Sequence, residues 1–313
     1  MKRTIIMIVT AVSIILVFLL LPLILKKKNP SATVGPDLSE LEYSEIFFEN
    51  AYASIQLSGM LFLPEGDGPF PTAVIIHGSG SSKRNSVWYL SVAHHLQTNG
   101  IAVILPDKRG CEKSGGEWVG ASLEELATDT LSAVNFVKDQ QIFEYSTIGL
   151  IGFSQGGWIA PVAATESDDI SFVVSMSGSA LTTDETLIYD VTYDIAPYTY
   201  TFIAKLIAPI NAKNLKKKEH LSALYPFDPI PYWKDVRIPV FFAFGENDKR
   251  VPVEECIDRL RENNLNQFRV KVYPDGGHGI TDSRTNRVNE EYLHDLLEFI
   301  DGATQLIKID PES

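Results

Sequence analysis

The stretch Ile148-Gly149-Leu150-Ile151-Gly152-Phe153-Ser154-Gln155-Gly156-Gly157 restricts the folds open to this chain more than any other. An apolar run that reads as a buried strand ends in Gly-x-Ser-x-Gly. A helix-compatible segment, Trp158 to Ala164, follows at once. A serine on a sharp strand-to-helix turn is held in a strained backbone conformation with its hydroxyl exposed. Side chains two residues before or after it would collide with the neighbouring strand and helix. The five-residue pattern alone is common, and its weight comes from the strand before it and the helix after it.

The chain around this turn alternates in the same manner. Tyr43–Glu49 and Ala53–Leu63 read as strands, the second alternating through Ile55, Leu57, Gly59 and Leu61. From Thr72 onward, short continuous apolar runs expected of strands covered on both faces are Ala73–Ile76, Ile101–Leu105, Thr147–Gly152, Ile170–Met176, Pro239–Phe244 and Phe268–Tyr273. Between them lie helical patterns at Ser86–Thr98, Leu123–Gln140, Val253–Asn263 and Val288–Ile300. Strand and helix in alternation imply an α/β fold with a mostly parallel sheet flanked by helices, opened by an antiparallel pair. No Gly-x-Gly-x-x-Gly follows the first buried strand, which disfavours a dinucleotide-binding sheet.

One segment interrupts the alternation. Between Ser177 and Asp235 the chain is too long for a simple crossover and is rich in Tyr, Phe and Trp. We expect a helical cap insertion over about 179–236. Lys213 to Lys218 forms a basic patch inside it, read as a solvated helix face, with phosphate or lipid head-group contact as the alternative.

The amino terminus differs from the body. Ile5 to Leu25 is a 21-residue run without charge, flanked by Lys2, Arg3 and Lys26-Lys27-Lys28. As a helix it would span about 31 Å, close to a bilayer core of about 30 Å. A cleaved signal peptide would have a shorter apolar region and a small-residue cleavage site, so residues 1–28 are expected to be an uncleaved anchor. Residues 29–41 then form a linker and 42–313 the catalytic body, at the cell membrane and outside the cytoplasm. The charges flanking the span are nearly balanced and fix its orientation weakly. Residues after Lys28 carry 22 basic against 40 acidic side chains, a net charge of −18 that argues against nucleic acid as a partner. Cys111 and Cys256, with no metal-site spacing, read as free or buried.

Ser154 needs a base to take its proton and a carboxylate to orient that base. On a sheet of this kind the order along the chain is Ser, Asp or Glu, then His. Asp248 follows strand Pro239–Phe244, with Glu246 as a nearby competitor. His278 lies in the glycine-rich loop after the next strand. His77 also ends a strand but precedes Ser154; His94, His95 and His294 lie on helices and His220 in the cap. No His-x-x-x-His zinc pattern occurs, so no metal or organic cofactor is expected. The oxyanion should be met by the amide of Gln155, at the helix start, and by that of Ser79 in His77-Gly78-Ser79-Gly80, with Gly78 as the alternative.

Taken with Asp107-Lys108-Arg109-Gly110-Cys111-Glu112-Lys113-Ser114-Gly115-Gly116, Gly245-Glu246-Asn247-Asp248 with Val251-Pro252, and Gly277-His278-Gly279, these segments resemble the α/β-hydrolase family over roughly residues 42–300. The branch is similar to bacterial esterases of the dienelactone-hydrolase, serine-aminopeptidase and acyl-thioester-hydrolase neighbourhood. The resemblance implies a structural role for Asp107–Gly116 beside the site. Cys111 stands where relatives often have a small residue. The expected function is a serine hydrolase, foremost a carboxylic ester (or thioester) hydrolase forming an acyl-enzyme on Ser154. Its substrate would be a small-molecule ester, a lipid-like one being among the options. Alternatives are a peptidase or aminopeptidase of the same fold, in which a large propeller often accompanies the domain and for which 313 residues leave no room, and a non-catalytic binding protein on the same scaffold.

Overall fold

The computed structural model describes residues 32–140 and 142–309, with Thr10 and Ser13 before them. The expected membrane span Ile5–Leu25 lies outside these, apart from those two residues. Among the described residues no helix is long and apolar enough to cross a membrane.

The strands are β1 (Ser44–Asn50), β2 (Ile55–Phe62), β3 (Phe70–Ile76), β4 (Ala102–Pro106), β5 (Tyr145–Phe153), β6 (Ile170–Met176), β7 (Val240–Gly245) and β8 (Arg269–Tyr273). They form one eight-stranded sheet in the order β1-β2-β4-β3-β5-β6-β7-β8. β1 and β2 pair antiparallel, as do β2 and β4; every other pair is parallel. The chain therefore has the α/β-hydrolase architecture, with an antiparallel opening on a parallel sheet.

Helices cover both faces. On one side lie α1 (Val87–Thr98) and α9 (Glu290–Ile309). On the other lie α2 (Leu123–Gln140), α3 (Gly156–Thr165), α7 (Ile230–Asp235) and α8 (Val253–Glu262). Central strands face a helix layer on either side, which is why β5 reads as continuous apolar sequence and is buried from Thr147 to Phe153. Trp233 of α7 is fully buried against Phe242 and Phe268 and ties the end of the cap to the sheet. α9 runs beyond the expected Ile300; its buried Ile300 and Ala303 continue the face begun by Tyr292 and Leu296.

Between β6 and β7 stand α4 (Thr183–Ile195), α5 (Thr201–Leu215), the single turn α6 (Glu219–Ser222) and α7. α4 begins with a capping box, the Thr182 side chain and Glu185 each meeting the other's backbone amide. The segment before β1 is partly folded: Asp37 caps a 3₁₀ turn at Leu38–Glu40, and Leu38 and Leu41 pack against the core. Cys111 and Cys256 are both free and buried.

Candidate active site

The site forms at the carboxyl ends of the parallel strands, where loops from several strands converge. Ser154 follows the last residue of β5 with φ +52°. That left-handed backbone is unfavourable for a serine and is held by its surroundings: the Ser154 amide donates to Met176 O at 2.9 Å, and its carbonyl accepts from Gly157. Both flanking glycines are sterically required. A Cβ on Gly152 would meet Gly156 O at 2.3 Å, and one on Gly156 would meet Ile76 O at 2.5 Å.

Three loops bring the expected residues together. His278 Nε2 lies 2.9 Å from Ser154 Oγ, and His278 Nδ1 lies 2.8 Å from Asp248 Oδ2 and 3.1 Å from its Oδ1. Asp248 is buried, and its Oδ1 also accepts from the amides of Arg250 at 2.7 Å and Val251 at 3.0 Å. The turn after β7 thus anchors the carboxylate while it faces the imidazole. Trp88 flanks the histidine, with ring centroids 5.7 Å apart. The competitor Glu246 points elsewhere and accepts from the Asp275 amide. His77 is also excluded: it is buried under Tyr89, its Nε2 bonds the Pro106 carbonyl, and burial pushes it down to about 4.

The loop after β3 separates the two oxyanion candidates. The Gly78 amide is already engaged, donating to Tyr89 Oη at 2.9 Å. The amides of Ser79 and Gln155 have no acceptor among the described residues, and both residues line the cavity at Ser154.

Lys108 is a site residue that the sequence placed only in a structural loop. Its buried ammonium donates to Gly78 O at 2.7 Å, Gly80 O at 3.0 Å and Gln155 Oε1 at 3.3 Å. It therefore ties the loop carrying the Ser79 amide to the residue carrying the other one. Burial pushes its pKa down to about 8. The rest of the Asp107–Gly116 loop is held by ion pairs, Asp107 with Arg84 and Arg109 with Asp129. The sequence signal for Lys108 was a cation beside a strand-end aspartate; its target loop lies earlier in the chain and could not be read off.

A cavity of about 400 Å³ opens from Ser154 toward the cap and is lined by Trp158, Thr186, Leu187, Leu224, Tyr225 and Val251, with Asp190 and Arg250 at its charged side. These two are paired, Arg250 Nη1 with Asp190 Oδ1 at 2.5 Å. Arg250 also meets Asp194 at 3.2 Å. Burial raises the pKa of Asp190 against the pull of the guanidinium. Tyr189 Oη donates to Asp248 O at 3.1 Å, so α4 is bonded to the loop that carries the Asp248 carboxylate. Among the described residues no group of three His, Cys, Asp or Glu side chains is arranged to hold a metal.

The geometry has relatives. Over 87% of this chain and 97% of the other, the structure superimposes on an esterase of Pyrococcus furiosus, Pf2001, with a TM-score of 0.65 and 23% identity. Proline iminopeptidase of Mycobacterium smegmatis matches with a TM-score of 0.62 at 13% identity, over 84% of this chain and 99% of that one. By sequence, the chain is 23% identical to esterase EstD of Thermotoga maritima over 268 residues, 80% of this chain and 64% of that protein. It is 24% identical to acylamino-acid-releasing enzyme 2 of Oryza sativa subsp. japonica over 217 residues, 67% of this chain but only 28% of the rice enzyme. The chain thus spans less than two thirds of these curated relatives. The model of the prolyl oligopeptidase family matches residues 86–306, a span that includes Ser154, Asp248 and His278. With most of its length inside that match, the chain belongs to the prolyl oligopeptidase family, a family of serine hydrolases.

Proposed function

We propose that this protein cleaves a carboxylic ester, or a thioester, through an acyl-enzyme on Ser154. The observation that carries this reading is the hydrogen-bonded series Ser154–His278–Asp248 facing the unengaged amides of Ser79 and Gln155. Ser154 Oγ attacks the acyl carbon as His278 Nε2 takes its proton. Asp248 holds the imidazole with Nδ1 protonated and stabilises its cationic form. The two amides receive the charge that develops on the carbonyl oxygen. The proton passes to the departing alcohol, and a water deprotonated by His278 then releases the acid.

An ester is favoured over a peptide by the charges in the cavity. Asp190 and Arg250 are tied to each other, so neither offers an unshared charge to a peptide terminus. The competing reading, a peptidase, is favoured by the relatives that release acylated amino acids. Residues 1–28 belong to the proposal as a membrane anchor that leaves the body outside the cytoplasm.

The test is fluorophosphonate labelling of the wild type and of Ser154→Ala, with turnover of an ester series of increasing acyl length beside aminoacyl amides. We expect Ser154-dependent labelling and ester turnover well above amide turnover. Faster amide cleavage would replace the ester reading with the peptidase one, and labelling or turnover retained in Ser154→Ala would overturn the mechanism. Protease added to intact cells should cut the body; a protected body would reverse the orientation.

A further inference from the structure

Helix α5 is packed inside out. Its buried face against α4 is made of alanines: Ala204, Ala208 and Ala212 are 0%, 0% and 2% exposed. Three of its large apolar side chains point the other way, Phe202 65%, Leu206 74% and Ile210 65% exposed, while Ile203, Ile207 and Leu215 are half-buried. At 100° per residue the exposed three follow one another along a single stripe, Lys213 continues it in the last turn, and Lys217 follows in the turn just beyond the helix end. A helix that faces water on that side would carry the opposite arrangement.

Charge on this face also departs from the rest of the protein. Thr201 to Lys218 holds five lysines, Lys205, Lys213, Lys216, Lys217 and Lys218, and no acidic residue, in a body of net charge −18. Lys216 is paired with Asp184, and the other four are exposed. The acidic residues of the supporting helix α4 are largely engaged: Asp184 by Lys216, Asp190 and Asp194 by Arg250, and Glu185 in its capping box. An anionic surface would repel most of this body and attract the α5 face, which also carries the exposed apolar stripe.

The entry point of the amino-terminal segment agrees with this. The Val34 amide donates to Asn286 O, and Gly35 lies against Val87 and Ser91 at the start of α1. α1 leaves the carboxyl end of β3, so Val34 and Gly35 lie at the same end of the sheet from which the cap rises. The segment that begins at residue 32 and the cap that carries α5 thus share one end of the sheet.

We propose that the exposed face of α5, Phe202, Leu206 and Ile210 with Lys213 and Lys217, docks on an anionic lipid bilayer. The apolar side chains enter the head-group boundary and the lysines meet lipid phosphates. α4, on which α5 packs, lines the cavity at Ser154 through Thr186 and Leu187. Docking would therefore hold the cap and the cavity beneath it against the membrane. This goes beyond the reading of Ser154 as an ester-cleaving nucleophile and does not depend on it.

The test uses the full chain reconstituted into vesicles of phosphatidylcholine alone or with phosphatidylglycerol, carrying an environment-sensitive dye at Leu206→Cys. A second labelled variant, Asn266→Cys, reports the amino-terminal end of β8, at the far end of the sheet. We expect a blue shift and quenching by brominated lipid at position 206, stronger with phosphatidylglycerol, and no response at 266. The double variant Lys213→Glu/Lys217→Glu should lower the docking equilibrium constant by about 25-fold or more, since each lysine at an anionic surface is worth roughly fivefold. A water-like spectrum at 206 in both membranes, a chain that does not float with the vesicles, or equal responses at 206 and 266 would overturn the proposal. So would a shift at 206 that appears without lipid and grows with protein concentration, because a second copy of the chain would then cover the face. Soluble-ester turnover, measured in parallel, reports the Ser154 chemistry separately.

Discussion

Lys108 donates to the Gly78 carbonyl at 2.7 Å across 30 residues of sequence, from a position where its ammonium also reaches Gln155. The loop carrying the Ser79 amide and the residue carrying the Gln155 amide, the proposed oxyanion donors, are thereby tied together by one buried cation. Lys108→Met keeps the length of the side chain and removes its three donors. We expect kcat to fall about 10–1,000-fold, as for loss of oxyanion stabilisation, with KM changed much less. Steady-state kinetics on one ester would check this; an unchanged kcat would show that the loop is aimed without it.

The same group sets a pH dependence. Burial lowers Lys108 from the ordinary 10.5 to about 8, so the folded protein loses this proton before the unfolded chain does. Between about 8 and 10.5 the unfolded chain binds more protons, and the contribution of this group to stability therefore rises with pH across that window. Activity should move in the other direction, falling above about 8 as the ammonium is lost. Lys108→Met should lack that alkaline limb in its kcat–pH profile, whereas Ser154→Ala has no turnover on which to observe it.

Tyr89→Phe removes the acceptor of the Gly78 amide and leaves that N–H unpaired in a buried place. The expected cost is about 1–3 kcal/mol, or a Tm lower by roughly 2–10 °C. The freed amide also gives the loop a second orientation, so kcat should drop along with stability. Thermal melting paired with ester kinetics tests this, and an unchanged Tm would mean that water replaces the phenol at no cost.

Asp190 pairs with Arg250 at the cavity wall, and Arg250 is shared with Asp194. Asp190→Asn leaves the guanidinium with Asp194 alone and turns it partly toward the cavity. We expect kcat/KM for esters bearing a carboxylate on the acyl group to rise about 5–50-fold relative to neutral esters of equal length, the span of a partly exposed charge pair. Equal ratios in variant and wild type would show that Arg250 does not reach the substrate.

Sequence carried the frame of the site because the frame rests on local rules. Gly152 is required by a contact within its own turn and Gly156 by the neighbouring strand β3, both at offsets the Gly-x-Ser-x-Gly pattern already marks, and Asp248 and His278 follow the ends of consecutive strands. What it left open depended on distant packing. Sequence preferred Ser79 with Gly78 left as the alternative; the fold separates them by placing Tyr89 Oη on the Gly78 amide. Lys108 was one basic residue in a polar loop until the sheet brought it behind residues 78–80. The stripe of Phe202, Leu206 and Ile210 on α5 was not read from the sequence, and periodicity does not say which side of a helix its neighbours choose; here α4 packs on the alanines.

The hydrogen bond from Tyr189 to the Asp248 carbonyl bears on how this scaffold can be diversified. Everything from Thr183 to Asp235 could be exchanged for another lid without touching a strand, which makes the segment a natural module for altering substrate range. The module is joined to the body at Trp233 against Phe242 and Phe268, at Asp190 and Asp194 with Arg250, and at this hydroxyl. A replacement lid that lacks a hydroxyl here would leave the Asp248 carbonyl unbonded, so shuffled lids should be judged on that attachment as well as on their pockets.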